Sequence, residues 1–197
     1  MKPITLIHPL WLRLTHWLNA LAVVIMVMSG WKIYNASPIF DFRFADDITL
    51  GGWLGGALLW HFFAMWVLMA NGLLYLGLNL LSGRLQRKLL PISPRALWQD
   101  LRAALSGKLA HADLSLYNQP QKLAYVFIIL DILLLVLSGL AIWKSVQFPL
   151  LRELMGSYDY ARVVHFAAMS ALVAVVAVHL VMVALVPRTL LLMIRGR

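Results

Sequence analysis

No cysteine occurs anywhere in the 197 residues. Disulfides, thiolate metal sites, cysteine-anchored iron–sulfur clusters and covalently attached c-type haem are therefore excluded, and any metal must be held by His, Met or carboxylate. Acidic residues are scarce, eight against seventeen Lys and Arg, and charged residues of both signs make up only 13% of the chain. No small-residue cleavage site follows the first apolar run, and that run outlasts the hydrophobic region of a signal peptide, so no cleaved leader is expected.

What is abundant is apolar side chain, at 62% of residues, well above the roughly 45–50% of soluble domains. About 20 apolar residues span the ~30 Å hydrocarbon core as a helix. Four segments qualify: Thr15–Tyr34, Trp53–Leu80, Leu123–Trp143 and Val163–Val186. The expectation is an all-α fold, a transmembrane four-helix bundle forming one domain over residues 1–197.

The net charge of +9 could suggest a nucleic-acid partner, but its distribution argues for a bilayer. Twelve of the seventeen basic residues lie at or before the start of span one, between spans two and three, or after span four; only five lie on the other side. By the positive-inside rule both termini and the 82–120 loop are expected in the cytoplasm, which makes this a multi-pass protein of a bacterial inner membrane. No nucleic-acid role is expected. Within the cytoplasmic loop, PRALWQDLRAALS (Pro94–Ser106) places Leu97, Trp98, Leu101 and Leu105 along one face, as in a helix lying at the membrane surface. The loop Lys144–Ala161, with Pro149 and Gly156, reads as a turn.

Six histidines occur, and four of them (His16, His61, His165 and His179) fall within the spans. Ionisable side chains are costly there and usually functional. His165 and His179 are fourteen residues apart in one helix, a rise of about 21 Å with a rotation only about 40° short of full turns. They project from nearly one face at two depths. Helix direction puts His61 at the depth of His165, and His16 at the depth of His179. Two imidazoles per level, from different helices, suit axial ligation of two b haems, stacked about 20 Å apart to carry electrons across the bilayer. Zinc or copper would want three or four ligands per site. A proton relay would usually add acids, and Asp131 is the only one in the spans.

The chain also echoes itself. MVMSGWKIYN (Met26–Asn35) and LVLSGLAIWK (Leu135–Lys144) carry Ser-Gly at corresponding places near the ends of spans one and three. Gly30 and Gly139 can serve helix packing or clear room for a flat, bulky ligand. The cluster GGWLGG (Gly51–Gly56) just before His61 could let chain and ligand approach closely. Arg13 and Arg162, one turn before His16 and His165, are placed either to meet haem propionates or to snorkel to the interface. His8 and His111 are read as surface residues.

These features together resemble the di-haem b-type cytochrome membrane anchors of bacterial Ni/Fe hydrogenases, thiosulfate reductase-type enzymes and formate dehydrogenases (the gamma subunit). The resemblance covers nearly the whole chain. It rests on RLTHW (Arg13–Trp17), LWHFF (Leu59–Phe63), LYNQPQK (Leu116–Lys122), LSGLAIW (Leu137–Trp143) and the fourteen-residue histidine spacing. It implies haem pairs His61/His165 and His16/His179, and a quinone, ubiquinone or menaquinone, near Tyr117, Asn118, Gln121 and Lys122. Pro120 stands where the formate dehydrogenase subunit has glycine, and removes a backbone N–H there. The resemblance further implies a periplasmic catalytic subunit, a molybdopterin or Ni/Fe oxidoreductase; homo-oligomerisation stays open. Two rivals remain. One is a stand-alone quinone-linked oxidoreductase such as a superoxide:quinone oxidoreductase, against which the acidic loop of Asp41, Asp46 and Asp47 argues. The other is a haem-free proton-coupled transporter, which a visible spectrum would separate.

Overall fold

The computed structural model describes residues 8–83, 91–105 and 119–196. All regular elements among them are helical. They are α1 (Leu10–Ala36), a 3-10 turn (Asp46–Ile48), α2 (Leu54–Leu81), α3 (Pro94–Leu105), α4 (Gln119–Trp143), α5 (Pro149–Leu154), α6 (Tyr158–Leu185) and α7 (Arg188–Arg195). Helices α1, α2, α4 and α6 run 25 to 28 residues and are long and apolar enough to cross a membrane. This is an all-helical, multi-pass integral membrane protein.

Three of the four membrane helices start earlier than the apolar runs suggest, α1 by five residues, α4 by four and α6 by five, while α2 starts within one residue of its run. Backbone hydrogen bonding continues past the hydrocarbon boundary, whereas hydropathy registers only the apolar stretch. Two short helices lie outside the spans, α5 within the loop expected to be a turn and α7 after the last span. Pro149, with no N–H to leave unsatisfied, begins α5, and Pro187 stands at the N-cap of α7 with backbone angles already helical (φ −61°, ψ −20°).

The chain divides into two compact units, one of Met1–Gly77 with Leu180–Arg197, the other Leu78–His179. In the first, the interior is made of small side chains: Ala22, Ser29, Ala57 and Ala64 are nearly or wholly inaccessible. Small residues let helix backbones approach closely where lipid supplies no hydrophobic drive between helices. Large apolar groups face outward instead, Leu59 at 74% exposure and Leu73 at 68%. Asn71 links two membrane helices: its amide donates to the Thr15 carbonyl (2.7 Å) and to Asn19 Oδ1 (2.6 Å).

Helix α7 is clasped to the start of α1. The Arg13 guanidinium donates to the Ile194 carbonyl (2.5 Å), the Trp17 indole to that of Met193 (3.3 Å), and the His8 N–H to that of Gly196 (3.4 Å). Gly196 closes α7 in the left-handed region (φ +81°). At the other end of α1, the segment before α2 is anchored by a Lys32–Asp46 ion pair (2.6 Å) and by the Asn35 side chain, which bonds both the N–H and the carbonyl of Phe44. Trp31 stacks on Phe44 at 4.7 Å between ring centroids. Gly51, at φ +112°, takes the left-handed turn that brings the chain onto the first turn of α2.

In the second unit Ser138, Ala141 and Ala161 are fully buried. Helix α3 is tied to the start of α4. The Asp100 carboxylate accepts the Gln119 N–H (2.9 Å), satisfying one of the orphan donors of α4, while Gln119 Oε1 accepts the Ser93 N–H (3.2 Å).

Candidate functional site

The Ser-Gly echo has a structural counterpart in each unit. In the first, Ser29 of α1 donates its hydroxyl to the Ile25 carbonyl one turn back (2.6 Å). That leaves the hydroxyl oxygen to face His61 of α2, whose Nδ1 lies 3.1 Å from Ser29 Oγ and 3.1 Å from the Met26 carbonyl oxygen. A carbonyl can only accept, so Nδ1 carries the proton and the ring is the Nδ1–H tautomer. In the second unit Ser138 of α4 donates to the Leu134 carbonyl (2.6 Å), and its oxygen lies 3.0 Å from His165 Nδ1 of α6. His165 is also bonded to the Leu135 backbone, the position matching Met26.

The adjacent glycines make these approaches sterically feasible. A β-carbon on Gly30 would stand 3.4 Å from His61 Cε1, and one on Gly139 would stand 3.3 Å from His165 Cε1. Both glycines are in ordinary helical conformation, so their value here is space alone. In sequence the glycine gap reads as room for a flat ligand or for helix packing; in each unit it holds the imidazole of the neighbouring helix. The glycines near His61 serve the chain's own turn: a β-carbon on Gly51 or Gly56 would collide with the backbone of Ala57 or Gly51.

With Nδ1–H donated, a neutral imidazole keeps its lone pair on Nε2, the atom that would bind a metal. Metal-ligating histidines characteristically give their other N–H to an oxygen acceptor, which fixes tautomer and ring orientation. His61 and His165 therefore have the donor chemistry that a haem iron requires. Among the described residues no three His, Cys, Asp or Glu side chains cluster.

His16 lies in α1, its ring 5.4 Å edge-on from Trp17, and His179 lies in α6. Arg13 is engaged with the α7 carbonyl described above. Arg162 has a carboxylate oxygen of Asp159 at 3.8 Å, a pair worth little because Asp159 is almost wholly exposed. Asp131 is buried at 7% exposure, and its Oδ2 has no hydrogen-bond partner among the described residues. On the expected quinone side, Lys122 Nζ donates to the Pro91 carbonyl (3.3 Å) and Gln121 is exposed near the start of α4. Tyr117, Asn118 and His111 lie outside the described residues.

Sequence reasoning did not find Ser29 and Ser138. The signal was there in the Ser-Gly pairs, but a serine in an apolar helix is also satisfied by its own i−4 carbonyl, and only the fold puts a histidine opposite.

Residues 7–196 match the family described as prokaryotic cytochrome b561. A curated relative from Azospira oryzae, named as a candidate protein-methionine-sulfoxide reductase subunit, YedZ1, is 65% identical over 195 residues, covering 99% of this chain and 98% of its own. No solved structure matches.

Proposed function

The chain belongs to the prokaryotic cytochrome b561 family, and from that premise we propose that it is a membrane electron-transfer subunit with two bis-histidine b haems. His61 and His165 are assigned to one haem, His16 and His179 to the other. The observation that carries this reading is the repeated Ser–Gly–His arrangement, in which two histidines on different helices have the same tautomer fixed by the same pattern of acceptors. A bound b haem supplies one-electron redox chemistry at an iron whose potential is set by axial ligands and their hydrogen bonds. The chain's own part at His61 and His165 is to orient the rings and to hold the proton at Nδ1 through those acceptors. Small buried residues, Ser29 and Ala57 in one unit and Ser138 and Ala141 in the other, lie on the helices that hold the His61 and His165 rings.

The electrons are proposed to pass between a membrane quinone, ubiquinone or menaquinone, and a catalytic subunit on the periplasmic face of a bacterial inner membrane. Both termini are assigned to the cytoplasm. Gln121 and Lys122, with Tyr117 and Asn118, are assigned to the quinone side. An ammonium and an amide there can hydrogen-bond a quinone carbonyl, and Lys122 would exchange its Pro91 partner to do so. The name of the Azospira relative supports an oxidoreductase that reduces methionine sulfoxide in proteins as the partner; the resemblance to hydrogenase and formate dehydrogenase anchors supports a molybdopterin or Ni/Fe enzyme more broadly.

The test is the reduced-minus-oxidised spectrum of purified protein. His61→Ala and His165→Ala should each abolish the same haem, and His16→Ala and His179→Ala the other. Both haems surviving in the His61→Ala/His165→Ala double variant would sink the ligand assignment. Quinol added to the holoprotein should reduce the haems, and the co-expressed periplasmic partner should reoxidise them.

A further inference from the structure

Ser29 and Ser138 are the largest fully buried side chains described, each at 0% exposure. A hydroxyl in an apolar helix is satisfied by donating to the carbonyl one turn back, and both serines do this at 2.6 Å. That accounts for the proton but not for the oxygen's direction. In each unit the oxygen points to Nδ1 of a histidine on the other helix, at 3.1 Å and 3.0 Å. The second acceptor is also repeated, the backbone three residues before the serine. So is the ring's seat on the following glycine, where Cε1 and Nδ1 would lie 3.4 and 3.8 Å from a β-carbon in one unit, 3.3 and 3.7 Å in the other. Two helix pairs of otherwise different sequence agree to 0.1 Å in the serine–imidazole and glycine–ring distances.

We infer that Ser29 and Ser138 are positioning residues that set the reduction potential of the haem held by His61 and His165, drawing it downward by accepting the Nδ1–H of each ligand. This rests on the haem assignment made above. An imidazole that donates Nδ1–H to two oxygens carries more electron density at Nε2 and is a stronger donor to a metal. A stronger donor favours the more positive, ferric iron. Removing the serine oxygen leaves one acceptor of two and weakens that preference. The shift equals the difference in that bond's strength between ferric and ferrous states, and the full net strength of an ordinary hydrogen bond, about fivefold in an equilibrium, sets its ceiling at ~40 mV for a one-electron couple.

The experiment is a redox titration of the full-length, haem-loaded protein followed at the α-band. Ser29→Ala and Ser138→Ala should each raise the same one of the two haem waves, by up to ~40 mV, and the double variant should raise it by the sum of the two shifts, with the other wave stationary. Ser29→Cys and Ser138→Cys retain a weak acceptor and should give smaller shifts in the same direction; they carry the measurement if an alanine variant loses haem. Ser170→Ala, on the same helix as His165 but exposed and bonded only to its own Phe166 carbonyl in the contacts described, should move neither wave. Retained haem with unmoved potentials, a downward shift, or equal shifts of both waves would overturn the inference. If the serine variants behave so while His61→Ala and His165→Ala each lose the same wave, the haem assignment stands and the role of the serines is refuted. If the histidine variants keep both waves, the assignment itself has failed.

Discussion

Replacing Gly139 with alanine tests the tightest of the two helix approaches. The new methyl carbon would stand 3.3 Å from His165 Cε1 and 3.7 Å from its Nδ1, where carbon atoms prefer about 3.5–4.0 Å. The ring must retreat by a few tenths of an ångström, yet its Nδ1 is tethered to Ser138 Oγ on the very helix that pushes it away. Overpacking of this kind costs about 1–3 kcal/mol. Alanine also gains about 0.5–1 kcal/mol over glycine as a helix former. The net is a loss of about 1 kcal/mol. Gly72 in α2 is the control, since a β-carbon there meets nothing within 4 Å; Gly72→Ala should gain about 0.5–1 kcal/mol from propensity alone. The two variants should thus differ by about 2 kcal/mol, or ~4–8 °C in Tm for a chain of this length, measured by circular dichroism in detergent. Gly30→Ala, at 3.4 Å, should fall between them. Equal melting of Gly139→Ala and Gly72→Ala would refute the steric argument.

Asn71→Leu removes the bonds to the Thr15 carbonyl and Asn19 Oδ1; at about 0.6 kcal/mol each in a membrane protein, it should lower Tm by a few degrees, and an unchanged Tm would show the link to be idle. Arg13→Gln releases the Ile194 carbonyl and should speed hydrogen exchange across Arg188–Arg195 about fivefold, with Trp17→Phe acting more weakly in the same direction. Gly196→Ala places a side chain at φ +81° and 3.0 Å from the His8 carbonyl oxygen, and should loosen the same segment by about 1–2 kcal/mol. The hydrogen bond and charge of Lys32 hold the Asp46 carboxyl below its usual range. A depressed carboxylate stabilises above its unfolded pKa of about 3.9 and loses that contribution as pH falls through the folded value. Acid titration of melting should therefore show a limb below about pH 4 that Asp46→Asn reduces and high salt weakens; identical limbs in both proteins would count against the pair.

The membrane helices were legible because about 20 consecutive apolar residues admit few other solutions, and Pro94–Leu105 because its apolar positions fall at helical spacing. Helix α7 was hidden by its shortness, and its fixing to α1 depends on Arg13 and Trp17, residues 176 to 181 positions away in sequence. The four histidines stood out as costly groups in apolar segments. Their partners did not, since Ser29 and Ser138 look satisfied within their own helices, and nothing local says that His61 or His165 lies opposite. Arg13 was read for its charge near His16, whereas its geometry is decided by a free carbonyl at the end of a helix that hydropathy does not reveal.

The repeated station is specified by very little: two adjacent letters, Ser-Gly, on one helix and a histidine at the eighth position of its partner, as His61 stands in α2 and His165 in α6. Everything else comes from generic helix geometry, the i−4 carbonyl that takes the hydroxyl proton and the i−3 carbonyl beside it. So small an instruction is portable. Written into a designed apolar hairpin, it would orient an imidazole and choose its tautomer without any further polar residue. A protein engineer could therefore place a pre-aimed ligand nitrogen in a membrane interior by three substitutions.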